Sequence, residues 1–117
     1  MTFGEYIREQ RLKSEIALRE VGRQLNLSAA YLCDMEHDKR NPPAKDVLDR
    51  LATLYKLDPD HLNRLYDIAG EERNCVPLDL TEYILENSEI KVVLRIAQDK
   101  KLRNEDWKKI RNFIEKF

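Results

Sequence analysis

At 117 residues with a formal net charge of −1, the chain is sized for one compact domain or a small domain with an appendage, and is too short for most two-domain enzymes. With 37% charged residues, 42% hydrophobic residues and only three glycines, the composition argues for an all-α protein, because strands ask for more β-branched residues and Gly-rich turns. No apolar run approaches the roughly 20 residues that span a bilayer, and the opening "MTFGEYIREQ" lacks a signal-peptide core, so a cytoplasmic protein without a membrane partner is expected.

Charge is unevenly divided. Residues 1–45 hold eight Lys/Arg against seven Asp/Glu, residues 46–90 four against eleven, and residues 91–117 nine against four. A balanced head and an acidic middle therefore precede a basic end. Cys33 and Cys75 lie far apart without a Cys-x-x-Cys, which reads as two reduced thiols.

The first helix reads "TFGEYIREQRLKS", with Thr2 as N-cap, Glu5 three residues on, and Phe3, Ile7 and Arg11 along one stripe. A charged residue thus continues an apolar face. In the second, Leu18, Val21, Gly22 and Leu25 make a short buried face that ends at Asn26, a residue tolerant of the left-handed conformation. Ser28 caps the third, whose inward side is Leu32, Met35 and Glu36 and whose outward side is Ala30, Asp34 and His37, flanked by Tyr31 and Cys33. After Pro42-Pro43, "AKDVLDRLATLYKL" gives a fourth helix with Val47, Leu48, Leu51, Leu54 and Tyr55 at helical spacing. Asp58-Pro59 starts a fifth, expected to run to about Ala69 and stop at Gly70.

Apolar periodicity lapses after residue 70, which predicts a connector over 71–80 and a C-terminal helical segment over 81–117. Thr81 is expected to cap a helix through Tyr83, Ile84 and Leu85, and Ser88 to restart or bend it into Ile90, Val93, Leu94 and Ala97. Asn104 is expected to cap a last helix with Trp107, Ile110, Ile114 and Phe117.

Two short helices joined by a tight turn inside a helical cluster form a scaffold that sets one helix in the DNA major groove while its partner crosses the backbone. The stretch "LREVGRQLNLSAAYLCDMEHDKRNPP" resembles the helix-turn-helix of the phage repressor, Cro and XRE-type regulators, with Val21, Leu25, Leu27, Leu32, Met35 and the small Gly22 as matching features. The closing "MEHDKRNPP" looks like the family's Glu-x-basic-x-Pro ending, and the resemblance covers about residues 2–70. It implies a five-helix, lambda-repressor-like DNA-binding domain over 1–70, with 28–36 as the recognition segment.

The resemblance places Ser28, Ala29, Ala30, Tyr31 and Asp34 at groove-facing positions. Ala29 and Ala30 can offer methyl contacts to thymine, and Asp34 can accept from cytosine N4. Positioning charge would come from Arg19, Arg23, Lys39, Arg40 and Lys45. Ala17, Leu18 and Asn26 depart from the family's usual Ser/Thr cap, glutamine and glycine. Arg11 and Glu36 both continue core stripes, so they are expected to form a desolvated structural ion pair, as similar pairs do in the family.

No Gly-rich phosphate loop or nucleophile motif occurs, so neither an enzyme nor a cofactor is expected, and Cys33 with His37 is too small a ligand set to predict a metal. Residues 81–117 carry more apolar surface than so short a segment can bury by itself. Val92 and Ile96 form a second stripe beside Ile90–Ala97, and with Trp107 and Ile110 they are the expected homodimer contact. The sequence therefore points to a dimeric repressor on a palindromic operator of double-stranded DNA. The alternative is an antitoxin-like or adaptor protein whose C-terminal helices bind a protein partner, with DNA binding for autoregulation.

Overall fold

The computed structural model describes all 117 residues, as eight helices without a strand: α1 Phe3–Lys13, α2 Leu18–Leu25, α3 Ala29–Glu36, α4 Lys45–Leu54, α5 Pro59–Arg73, α6 Leu78–Glu86, α7 Ser88–Asp99 and α8 Asn104–Ile114. No helix is long and apolar enough to cross a membrane. The chain divides into two compact units, Met1–Thr81 and Glu82–Phe117.

In the first unit the caps follow from side chains that can satisfy unpaired helix-end N–H groups. Thr2 and Glu5 form a reciprocal capping box at α1. Ser28 Oγ accepts from the Tyr31 N–H at 3.0 Å at the start of α3, and Asp58 Oδ1 from the His61 N–H at 2.8 Å at the start of α5, where Pro59 takes the first helical position. Ala17, having no polar side chain, leaves the start of α2 without a side-chain cap.

Six of the helices, α1 to α5 and α7, are followed by a non-glycine residue with positive φ: Glu15, Asn26, Asp38, Lys56, Asn74 and, in the second unit, Lys101. All three glycines lie inside helices, none with positive φ. Gly70 is accordingly not the stop of α5. The helix continues to Arg73 and ends at Asn74 with φ 53°. Gly70 is instead a point of close approach, since a Cβ there would lie 3.0 Å from the Cys75 carbonyl and 3.2 Å from the Pro77 nitrogen.

The core of this unit joins Phe3 and Ile7 of α1, Val21 and Leu25 of α2, Leu32 and Met35 of α3, Leu48 and Leu51 of α4 and Leu65 and Ile68 of α5. Fully burying each of these side chains contributes on the order of 1.5–3 kcal/mol. α3 packs on α1 and α2, which fixes which of its sides can face outward.

The expected connector over 71–80 is mostly helical, because α5 is longer than its periodicity suggests and α6 begins at Leu78, whose side chain packs on the core. Thr81 is therefore not a cap. It sits one turn inside α6, its hydroxyl donating back to the Pro77 carbonyl at 3.4 Å. Asn87 stands between α6 and α7, its side-chain amide donating to the Tyr83 carbonyl at 2.7 Å. Asn104 does not cap α8 either: it is the first helical residue, and the Arg103 N–H before it donates to Asp106 Oδ2 at 2.9 Å. In the second unit only Ala97 is buried, whereas Val92, Val93, Leu94, Ile96, Phe113 and Ile114 are exposed by 41–63%.

Candidate nucleic-acid interface

The segment from Leu18 to Glu36 is built so that one side of α3 cannot turn inward. Asn26 reverses the chain in the left-handed conformation, and the Leu27 N–H donates to the Gly22 carbonyl at 2.9 Å. The turn then lies so close to α2 that a Cβ on Gly22 would stand 2.5 Å from the Leu27 carbonyl oxygen. Leu32 and Met35 are buried beneath α3, and Glu36 is buried beside them.

Glu36 meets Arg11 in a two-pronged pair, Nε to Oε2 at 2.7 Å and Nη2 to Oε1 at 3.1 Å, with side-chain exposures of 13% for Arg11 and 5% for Glu36. A third guanidinium N–H reaches the Ile16 carbonyl at 3.0 Å. The hydrogen bond to Glu36 is the main reason the Arg11 pKa is raised, against the opposing cost of desolvation. The pair ties α1 and the chain before α2 to the inner side of α3.

What remains outside is Ser28, Ala29 and Ala30, all exposed, with Tyr31, Cys33 and Asp34 half-exposed and His37 exposed at the helix end. Two short helices, a tight left-handed turn and a second helix with a bare, small-residue outer side constitute a helix-turn-helix. The model of the helix-turn-helix domain family matches residues 2–65. The chain belongs to the helix-turn-helix domain family. This agrees with the XRE-like resemblance of the sequence and makes the matched region a DNA-binding domain of the regulator type. No curated protein and no solved structure matches the chain.

The cations of this helix-turn-helix protein are less free than their spacing suggests. Arg23 is engaged by Glu20 through both Nε, at 2.9 Å, and Nη2, and Glu20 also accepts from the Gln24 amide at 3.0 Å. These bonds, that from Arg23 first, lower the Glu20 pKa to about 2. Lys45 bonds Asp49 at 2.9 Å and lies 5.9 Å from the centre of the Tyr66 ring, which directs it toward α5. Arg40 bends back onto α3, its Nε 3.5 Å from Asp34 Oδ2 and its guanidinium carbon 5.0 Å from the centre of the Tyr31 ring. Arg19 and Lys39 are exposed and form no ion pair within 4.0 Å.

The loop after α3 is held by groups that sequence reasoning misses. Asp38 accepts from the Gly4 N–H at 2.8 Å and the Thr2 hydroxyl at 2.5 Å, and Glu72 accepts from the Phe3 N–H at 3.3 Å, so two carboxylates sit on the positive end of α1. The Arg73 guanidinium donates to the Pro42 carbonyl. The only advance signal is Asp38, given no role of its own beside the basic Lys39 and Arg40, in a stretch that ends in two prolines, both buried. Lys39 and Arg40 thus stand on a loop anchored on both sides, Lys39 without an ion pair and Arg40 folded back onto α3.

Cys33 Sγ lies 3.5 Å from His37 Nδ1, and the same nitrogen lies 2.7 Å from the Cys33 carbonyl oxygen. That Nδ1–H donates to the backbone and fixes the ring against its own helix. Of the tail residues expected to mediate association, Val92, Ile96 and Trp107 are exposed by 45%, 49% and 36%, and Ile110 is half-buried.

Proposed function

We propose that the chain is a sequence-specific transcription regulator, a dimeric repressor that lays residues 28–36 in the major groove of a palindromic operator. The observation that carries this reading is the contrast across α3: Leu32, Met35 and Glu36 are buried, while Ser28, Ala29 and Ala30 are exposed and too small to fill space with anything of their own. A helix so bare on the outside allows close approach of a groove floor, with methyl groups suited to thymine. Arg19 and Lys39 supply phosphate contacts that set the register.

Dimerisation through Val92, Ile96, Trp107 and Ile110 is supported by the exposure of apolar side chains on a unit with a single buried residue. An operator with two-fold symmetry asks for a two-fold protein. The second reading, an antitoxin-like or adaptor protein with a protein partner on its C-terminal helices, draws support from exposed aromatics there. Trp107 and Phe113, exposed by 36% and 63%, are of the type that anchors protein interfaces.

Selection from a pool of random DNA duplexes tests the first reading, and enrichment of a palindrome is the expected result. Light scattering after gel filtration separates the two. A full-length dimer converted to monomer by Val92→Glu with Ile96→Glu supports the homodimeric repressor. A full-length monomer at micromolar concentration supports the partner-binding reading.

A further inference from the structure

We propose that Asp34 and Arg40, held together on Tyr31, read one G·C base pair as a unit. This rests on α3 being the groove helix. Asp34 is the only exposed acid on α3, the buried Glu36 being turned to Arg11. A lone carboxylate facing the major groove would be repelled by the phosphates on both sides. Arg40 removes that charge imbalance from outside the helix, with Nε 3.5 Å from Asp34 Oδ2 and the guanidinium 5.0 Å from the Tyr31 ring centre.

The arrangement leaves a particular set of groups unused. A guanidinium has five N–H donors, one of them on Nε, so the four on the two terminal nitrogens have no acceptor in the protein. Asp34 keeps its acceptor capacity, since its side chain takes no other bond. Donors and an acceptor thus stand side by side at the edge of the outward face. The major-groove edge of a G·C pair shows two acceptors, guanine N7 and O6, followed by one donor, cytosine N4. Terminal guanidinium N–H groups meet the first two and the carboxylate meets the third. No other base pair offers that order. The pair is half-exposed, 52% for Arg40 and 40% for Asp34, and an exposed ion pair of this kind contributes little to stability, so it can open slightly over a base edge at small cost. Arg40 acts here as a specificity-determining residue, unlike Lys39 beside it.

The test uses the full-length chain and duplexes with a randomised centre. The best recovered duplex is then changed one base pair at a time against wild type, Asp34→Asn, Arg40→Lys and the double variant. Both single variants should lose preference for G·C at the same position, by about 5- to 150-fold, with other positions unchanged and no further loss in the double variant. Arg40→Lys keeps the charge, so the salt dependence should stay as it was, which a plain phosphate contact would also give but without any change of preference. If Arg40→Lys weakens all sequences alike, or the two variants act at different positions, the unit does not exist although the protein reads DNA. If the pool yields no enriched duplex, the sequence-specific reading falls and this inference with it. Unchanged helical circular dichroism of the variants confirms that these half-exposed changes leave the fold intact.

Discussion

Glu36→Ala should be among the most damaging single changes in this protein that leave the apolar core untouched. The carboxylate is 5% exposed and accepts two bonds from Arg11, itself 13% exposed, so its removal strands a guanidinium that water reaches poorly. Breaking one side of a buried pair costs about 3–5 kcal/mol. Arg11 keeps its bond to the Ile16 carbonyl at 3.0 Å, which places the loss near the lower end, about 3 kcal/mol. At about 4–8 °C per kcal/mol for a unit of this size, the midpoint should fall by about 12–24 °C. That is a large part of the roughly 5–15 kcal/mol a folded domain commands.

Arg11→Met added to Glu36→Ala removes the stranded charge and should recover about 2 kcal/mol of that loss, so the double variant should be more stable than Glu36→Ala alone and the two single losses should not add. Urea titration followed by circular dichroism, at one fixed protein concentration for all four forms, measures it. Additive losses in the cycle would mean that the two side chains do not meet in solution, and the tie between α1 and α3 would have to be sought elsewhere.

Gly22→Ala should destabilise by about 1–3 kcal/mol and weaken DNA binding beyond that, because the added Cβ meets the Leu27 carbonyl at 2.5 Å and must push the turn off α2; a variant as stable as wild type in the same titration would show that the two helices do not approach so closely. Glu20, with its pKa lowered to about 2 by Arg23 first and then Gln24, should contribute stability fully present above pH 4.5 and lost as pH falls through about 2. In a carboxyl NMR titration Arg23→Ala should return it toward 4.5, and a Glu20 that already titrates there in the wild type would mean the pair does not form. For DNA, two unpaired cations per head, Arg19 and Lys39, give a slope of log K against log salt of about −3.6 for a dimer, whereas all five candidate cations on phosphate would give about −9. A measured slope near the second value would show that Arg23, Arg40 and Lys45 leave their partners on binding.

Much of this fold is legible because it rests on local chemistry. Thr2 with Glu5, Ser28, and Asp58 before Pro59 each satisfy helix-end groups within three residues, and Asn26 is one of the few side chains that accepts the left-handed turn. Arg11 and Glu36 stand out because each interrupts an apolar stripe. The misreadings share a different cause. A glycine after a helical pattern fits a stop and equally a close contact, and only the position of the Cys75 carbonyl makes Gly70 the latter. Asn and Thr at a boundary attract a capping role, yet Thr81 and Asn104 lose it to the chain before them, where Pro77 and Arg103 set the first turn. The engagement of Arg40 with Asp34, and of Asp38 with an α1 terminus 34 residues away, depends on side-chain placement that spacing does not carry.

Those hidden pairings bear on how binding strength is distributed. Residues 1–45 carry eight basic against seven acidic side chains, and Arg23, Arg40 and Lys45 are matched by Glu20, Asp34 and Asp49. Counterion release is the main source of nonspecific affinity, so a single head with only two of its five candidate phosphate cations, Arg19 and Lys39, unmatched has little hold on arbitrary DNA. In the proposed reading its discrimination between sequences comes from the outward side of α3, where an incorrect base pair costs about 1–3 kcal/mol. Weak nonspecific attraction lengthens the search for a site but raises the ratio of right to wrong binding. Under the proposed dimeric reading, occupancy then depends on joining two such heads, since a tethered second head acts at high effective concentration without any new contact to the backbone. In the proposed dimer the exposed Val92 and Ile96 would matter to DNA affinity without contacting DNA, so the apolar side chains of the second unit and the matched charges of the first would serve one design.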